Sequence, residues 1–238
     1  MESIVKNLQT KKRNKNILPK DYDINYYEYQ NQLSFQPHLE ERTRDLHFVF
    51  DGLFSIKSKK ILEIGCGSGK NMKLFDPSNT LCGIDYSSDA IKICHKAGLD
   101  NTVLASADVV PVKDGWADVI LVLDVIEHLE PFRYRNLLHE IDRILSNNGK
   151  LIFSTPIRDR IPFVFRMVYN KIFGLEEPYY WNSHINELTL KQLLTSFKSI
   201  GFKPTKTKIA NTSHFISLNA ALGYFLGGGI TACLEREL

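Results

Sequence analysis

Lys60-Ile61-Leu62-Glu63-Ile64-Gly65-Cys66-Gly67-Ser68-Gly69 is the stretch that decides how the rest of this chain is read. Ile61, Leu62 and Ile64 are apolar and strand-forming, as a parallel strand covered on both faces requires. The run stops in three glycines at alternate positions, which let the backbone turn tightly and let a ligand approach closer than a Cβ would allow. A helix is expected next, its N-terminal amides directed at whatever fills the turn. The stretch reads as a nucleotide-ligand loop.

Downstream the pattern repeats. Leu81 to Asp85 is a second short strand ending in an acid, and Ser87 caps a helix that buries Ala90, Ile91, Cys94 and Ala97 before Gly98 stops it. Thr102 to Ala107 is a third strand followed by Asp108, and Val119 to Leu123 is a fourth followed by Asp124. Tyr134, Leu137, Leu138, Ile141, Ile144 and Leu145 form a helical stripe closed by Asn147-Asn148-Gly149, and Leu151 to Ser154 is a fifth strand stopped by Pro156. Thr189-x-x-Gln192 resembles a capping box, with Leu190, Leu193, Leu194, Phe197 and Ile200 buried behind it. Phe202 to Ile209 suits an outer strand, and Ile230 to Leu234 a last strand, antiparallel at the sheet edge. Upstream, Leu39 to Leu53 carries helical spacing and forms a helical cap on the sheet. Strands separated by helices define an α/β, doubly wound, mostly parallel sheet of seven strands. Ligands bind such sheets outside the carboxyl ends of the strands, where Asp85, Asp108 and Asp124 converge on one crevice.

Two familiar phosphate loops do not fit. The dinucleotide fingerprint needs glycine where Lys70 stands, and the P-loop needs glycine at Ile64 and Ser or Thr at Asn71. The pattern that fits is acid-x-Gly-x-Gly-x-Gly, Glu63 to Gly69. With it come Gly83-Ile84-Asp85-Tyr86-Ser87, Ala107-Asp108, Asp118 to Leu129 and Asn148-Gly149-Lys150-Leu151, all in order. Together these resemble the class I S-adenosylmethionine-dependent methyltransferases from Lys60 to Pro156, and more loosely through Gly201. The resemblance implies a Rossmann-like methyltransferase fold and S-adenosyl-L-methionine as cofactor. Asp85 would take the ribose hydroxyls, as an acid about twenty residues past a glycine loop does in dinucleotide folds. Asp108 would accept from the adenine amino group beside the Ala107 backbone. Glu63 would orient the methionine end, with Gly65, Cys66, Gly67 and Gly69 along it. Tyr86 and Asp124 complete the implied cofactor set.

A sulfonium methyl is already activated, so aligning the nucleophile and excluding water supply much of the acceleration. A base matters only where the acceptor must lose a proton, and His128 is the implied catalytic residue. Its structural reading is a histidine that packs at a helix start. Asp124-x-x-Glu127-His128 is close to the E-x-x-E-H arrangement that holds a divalent metal in some relatives, such as ubiquinone-biosynthesis O-methyltransferases. No metal is assigned; Asp124, Glu127, His128 and His184 are the candidate ligands. Tyr26, Tyr27 and His184 are placed on the acceptor side.

Composition sets the remaining bounds. The 238 residues suit one α/β domain with additions, and a net charge of +3 gives no argument for a nucleic-acid partner. Residues 1–20 read as a flexible basic tail and 21–238 as a single domain. The tail is a solubilising extension, with attachment to anionic lipid or RNA as its functional reading. Cys66, Cys82, Cys94 and Cys233 show no C-x-x-C spacing and read as small buried groups in a reducing, cytoplasmic setting. Residues 157–184 form a lid insertion, whose segment from Phe163 to Phe173 leaves only a narrow polar edge. It either covers a hydrophobic acceptor or rests at the periphery of a membrane. The run from Ile209 to Leu234 carries no formal charge, but its polar residues and Gly227-Gly228-Gly229 oppose a spanning helix. The leading expectation is methyl transfer to oxygen, or to nitrogen, of a small molecule. The alternatives are a methyltransferase acting on RNA or protein, and a non-catalytic member of the fold.

Overall fold

The computed structural model describes residues 23, 24, 27, 37–157, 184–210 and 228–237. The expectations for the tail, for Tyr26, for most of the lid and for residues 211–227 lie outside these. The glycine-loop strand, β1 (Lys60–Ile64), sits at the centre of a seven-stranded sheet. On one side it pairs in parallel with β2 (Thr80–Asp85), which pairs with the short β3 (Thr102–Leu104). On the other side it pairs in parallel with β4 (Ala117–Leu123), followed by β5 (Leu145–Ile157). Two antiparallel strands complete the order β3-β2-β1-β4-β5-β7-β6, with β6 at Phe202–Ala210 and β7 at Gly228–Arg236.

Both faces are covered because successive residues of the central strands are apolar and point alternately to the two sides. Leu62, Ile64, Ile120, Val122, Leu151 and Phe153 belong to one core with α3 (Pro131–Ile144) and α4 (Leu190–Ser199), which contribute Leu137, Ile141, Leu193 and Phe197. Ile61, Val119, Leu121, Leu123 and Ile152 form the opposite core with Leu46 and Val49 of α1 (Pro37–Val49). The caps read from sequence are present. Ser87 accepts from Ala90 at the start of α2 (Ser88–Lys96), and Thr189 and Gln192 form a reciprocal capping box on α4. Among the described residues no helix is long and apolar enough to cross a membrane.

Three expectations are corrected. The strand from Ile230 to Leu234 is not at the sheet edge: β7 lies between β5 and β6, with Ile230, Ala232 and Leu234 in the core. The edge is β6, where lysines at 203, 206 and 208 suit a strand with one open side. Pro156 does not stop β5, which runs on to Ile157. The β4 ladder ends at Ser154, so the missing N–H of Pro156 costs no bond on that side. Asn147-Asn148-Gly149 is not a helix stop either. Helix α3 passes into β5 at Leu145, and these residues form an irregularity between the Ala117–Leu145 and Val119–Lys150 pairs.

Candidate active site

The glycine loop is shaped by its own backbone and by β2. Gly65, Gly67 and Gly69 have φ of 76°, 52° and 72°, a region that side chains other than glycine rarely enter. The amides of Gly65 and Cys66 both donate to the Ile84 carbonyl, at 2.8 and 2.9 Å. Gly67 N–H donates to Asp85 Oδ2 at 2.8 Å, and Gly69 N–H to the Cys66 carbonyl at 2.9 Å. The expected helix is absent here. A three-residue 3-10 turn, Met72–Leu74, follows instead, because Asp76 to Asn79 already form the turn into β2. The amides of Gly65, Cys66 and Gly67 therefore tie the loop to β2, and the helix N-terminus beside Asp85 is that of α2, capped by Ser87. Beneath the loop, the hydrogen bond with Cys94, then burial and the charges of Glu63 and Asp85, push the Cys66 thiol up. It is a neutral packing group at physiological pH.

The carboxylates stand at the carboxyl ends of adjacent strands. Asp85 closes β2, is buried, and accepts from the amides of Gly67 and of Ser87, the latter at 2.9 Å. Burial raises its pKa above the ordinary aspartate range, against the pull of these amides, the Tyr27 hydroxyl and the Tyr86 amide. Glu63 in β1 is buried and accepts from Asn71 Nδ2 at 2.7 Å. Asn71, which counted only as a failed P-loop position, is thus a partner of the site. Asp108 lies past β3, hydrogen-bonded by the Ser106 hydroxyl and 3.7 Å from the Arg133 guanidinium at the start of α3. Tyr86 and Val109, each next to one of these acids, present exposed side chains, and Ala107 packs against the core. Tyr27, expected on the acceptor side, packs against the glycine loop. A Cβ on Gly67 would sit 3.5 Å from its ring.

After β4 the chain passes through Asp124 at φ 54°, a strained conformation for a non-glycine residue. Two bonds to β5 hold it: Asp124 N–H to the Ser154 carbonyl at 2.9 Å, and Ser154 Oγ to Asp124 Oδ1 at 2.8 Å. Next comes a 3-10 turn, Ile126–His128. Glu127 is buried and accepts from Thr155 Oγ1 at 2.9 Å, while its carbonyl takes the amides of Ile185 and Asn186. That pair of backbone bonds brings His184 to His128, with ring centroids 5.1 Å apart and edge to face. Glu187 Oε1 lies 3.2 Å from His184 Nδ1. Ligand atoms of Glu127, His128 and His184 fall within 4.8 Å of one another. Asp124 is not in this group, its carboxylate being directed to Ser154. Sequence spacing found Glu127 and His128; Arg133 and Thr155 contact the site from other elements, at separations that no local motif reports, while Asn71 and Glu187 meet Glu63 and His184 from eight and three residues away.

Residues 62–153 match the family described as the methyltransferase domain. Together with the sheet order and the motif set, this makes the chain a class I S-adenosylmethionine-dependent methyltransferase. Among its relatives, an uncharacterised protein of Methanocaldococcus jannaschii is 29% identical over 74% of this chain and 81% of its own length. The ubiquinone biosynthesis O-methyltransferase of Bordetella pertussis is 26% identical over 63% of this chain and 65% of that protein. Geranyl diphosphate C-methyltransferase from Streptomyces coelicolor, solved with Mg2+, geranyl diphosphate and S-adenosyl-L-homocysteine, shares the fold with a TM-score of 0.62. It is 14% identical and is matched over 88% of this chain and 85% of that one.

The donor set fits S-adenosylmethionine better than a dinucleotide. A pyrophosphate would meet the carboxylates of Glu63 and Asp85, and the glycine loop is not followed by a helix whose N-terminus could offset them. A sulfonium is a cation, and ribose hydroxyls and an adenine amino group are donors, so carboxylate acceptors suit all three.

Proposed function

We propose that this enzyme methylates an oxygen of a small, largely apolar acceptor, with nitrogen as the second choice. The observation carrying this reading is the His128–His184 pair at the carboxyl end of β4, backed by Glu127 and Glu187. The relative named as a ubiquinone biosynthesis O-methyltransferase supports it. When bound, S-adenosylmethionine supplies a methyl group already activated by its sulfonium. Asp85 takes the ribose hydroxyls, Asp108 the adenine amino group, and Glu63, held by Asn71, the amino-acid end. His128 accepts the acceptor's proton, while His184, oriented by Glu187, lines the acceptor pocket. Incubation with methyl-labelled S-adenosylmethionine and a cell extract is expected to place label in the low-molecular-weight, organic-extractable fraction. Label in RNA or protein instead would overturn the reading.

A second reading has its own observation. One carboxylate and two imidazoles within 4.8 Å of one another are a fitting set for a divalent cation, with Thr155 on Glu127 and Glu187 on His184 as outer partners. The cation would supply Lewis-acid polarisation of the acceptor oxygen. With His128 as base, turnover is expected to persist in chelator, and His128→Gln to lose about 100- to 10,000-fold in kcat. Collapse in chelator, restored by Mg2+ or Zn2+, would assign the three side chains to a metal.

A further inference from the structure

The chain between β3 and β4 carries Asp108 and is fastened to α3. Val109 N–H donates to the Ser106 carbonyl at 3.1 Å, closing a turn with Asp108 inside it. Val110 N–H donates to Glu140 Oε2 at 2.7 Å, and Arg143 donates to the Val110 and Val112 carbonyls at 3.0 and 2.7 Å. These bonds from α3 hold backbone. Two other side chains hold the carboxylate itself. The Ser106 hydroxyl donates to Asp108 Oδ1, and Arg133 Nη1 lies 3.4 Å from Ser106 Oγ and 3.7 Å from the same Oδ1. Arg133 is steadied in turn by the Phe132 ring, 5.7 Å from its guanidinium carbon, and by Glu130 Oε2 at 3.9 Å. Among the described residues both groups address Oδ1, so Oδ2 is the oxygen left to a ligand, on a side chain 10% exposed. An ionised carboxylate accepts hydrogen bonds and donates none. It therefore suits an amino group and repels a carbonyl oxygen.

We propose that Ser106 and Arg133 are positioning residues that select the base of the cofactor. They fix one oxygen of Asp108 and aim the other at a 6-amino purine, so that a purine with a 6-keto group is refused. The proposal rests on the assignment of Asp108 to the adenine.

Isothermal titration of the full chain with S-adenosylhomocysteine and with S-inosylhomocysteine, which carry the amino and the keto base respectively, tests this. The wild type is expected to prefer the adenosyl compound. Ser106→Ala is expected to narrow that preference about tenfold, the scale of one lost bond to a charged group. Arg133→Met is expected to narrow it about two- to fivefold, as suits a half-exposed ion pair. Arg133→Lys keeps the charge and is expected to lie between Arg133→Met and the wild type. If these variants bind both compounds more weakly by the same factor, with the preference unchanged, the proposal is overturned and the two residues have a structural role. Asp108→Asn tests the assignment beneath it. Its amide can donate to a 6-keto group, so the preference is expected to vanish. A wild type without preference, or a preference that survives Asp108→Asn, would remove the adenine assignment, and the proposal with it.

Discussion

Asparagine at position 85 is expected to weaken S-adenosylmethionine binding by about 10- to 100-fold, the scale of losing hydrogen bonds to a charged group. Asparagine is a better test than alanine, because alanine would strip the acceptor from the Gly67 and Ser87 amides and disturb the loop as well. Unchanged affinity at neutral pH would refute the ribose assignment. The charge of Asp85 adds a pH signature. Burial holds its pKa above the ordinary aspartate range, so it takes up a proton earlier than a solvated aspartate on acidification. Cofactor affinity, which needs the carboxylate, is expected to fall with pH through that raised value. The stability term has the opposite sign. A raised native pKa means that the folded state holds the proton more tightly than the unfolded state does. This group's contribution to stability therefore grows as pH falls from the raised value toward the ordinary one, and its ionised form costs stability at neutral pH. Titrations over this range should show the affinity trend in the wild type and a flat response in Asp85→Asn.

Gly65→Ala is expected to be strongly destabilising. The new Cβ would stand 2.3 Å from Val125 Cγ2, at a φ of 76°. Left-handed backbone at alanine costs about 1–2 kcal/mol and overpacking about 1–3 kcal/mol, so a loss of about 2–5 kcal/mol in unfolding free energy is expected, with cofactor binding lost too. Denaturant unfolding measures the total. The two parts separate in a cycle with Val125→Ala, which removes the clashing methyls and leaves the backbone strain. A purely additive cycle would show that the contact with Val125 contributes nothing.

What could be read from sequence and what could not divide along chain separation. The strand that runs into Gly65, the acids at the ends of β2 and β4, and the caps at Ser87 and Thr189 are local patterns and are where the residues placed them, whereas the strand expected over Thr102 to Ala107 stops at Leu104, four residues short of Asp108. Glu127 and His128 could be read as neighbours for the same reason. Their companion His184 was named too, but only the backbone bonds from Ile185 and Asn186 to Glu127 bring it to within a ring of His128. Asn71 on Glu63, Arg133 beside Asp108 and Tyr27 on Asp85 are side-chain meetings across separate elements, which periodicity does not encode. The missing helix after the loop is a failure of a different kind. Glycine-rich turns favour a following helix, but here the Asp76 turn takes the residues that a helix would need. Strand order failed for β7 because a run of Ile, Ala, Cys and Leu fits an internal position, yet nothing local says between which neighbours.

The place of β7 bears on how the molecule comes together. Among the described residues strand β6 pairs only with β7, and the side of β5 away from β4 pairs only with β7 as well. Both ladders wait for a segment made later on the ribosome than either partner, so neither edge can be sealed while β7 is still being synthesised. Until then β5 offers Leu151 and Phe153 on an open strand, a surface on which two nascent copies can pair with each other instead. The parallel half, β1 to β4 with Glu63 and Asp85, has no such dependence. In this enzyme the half that carries the glycine loop can assemble first, and the half that closes the sheet is the one exposed to misassembly.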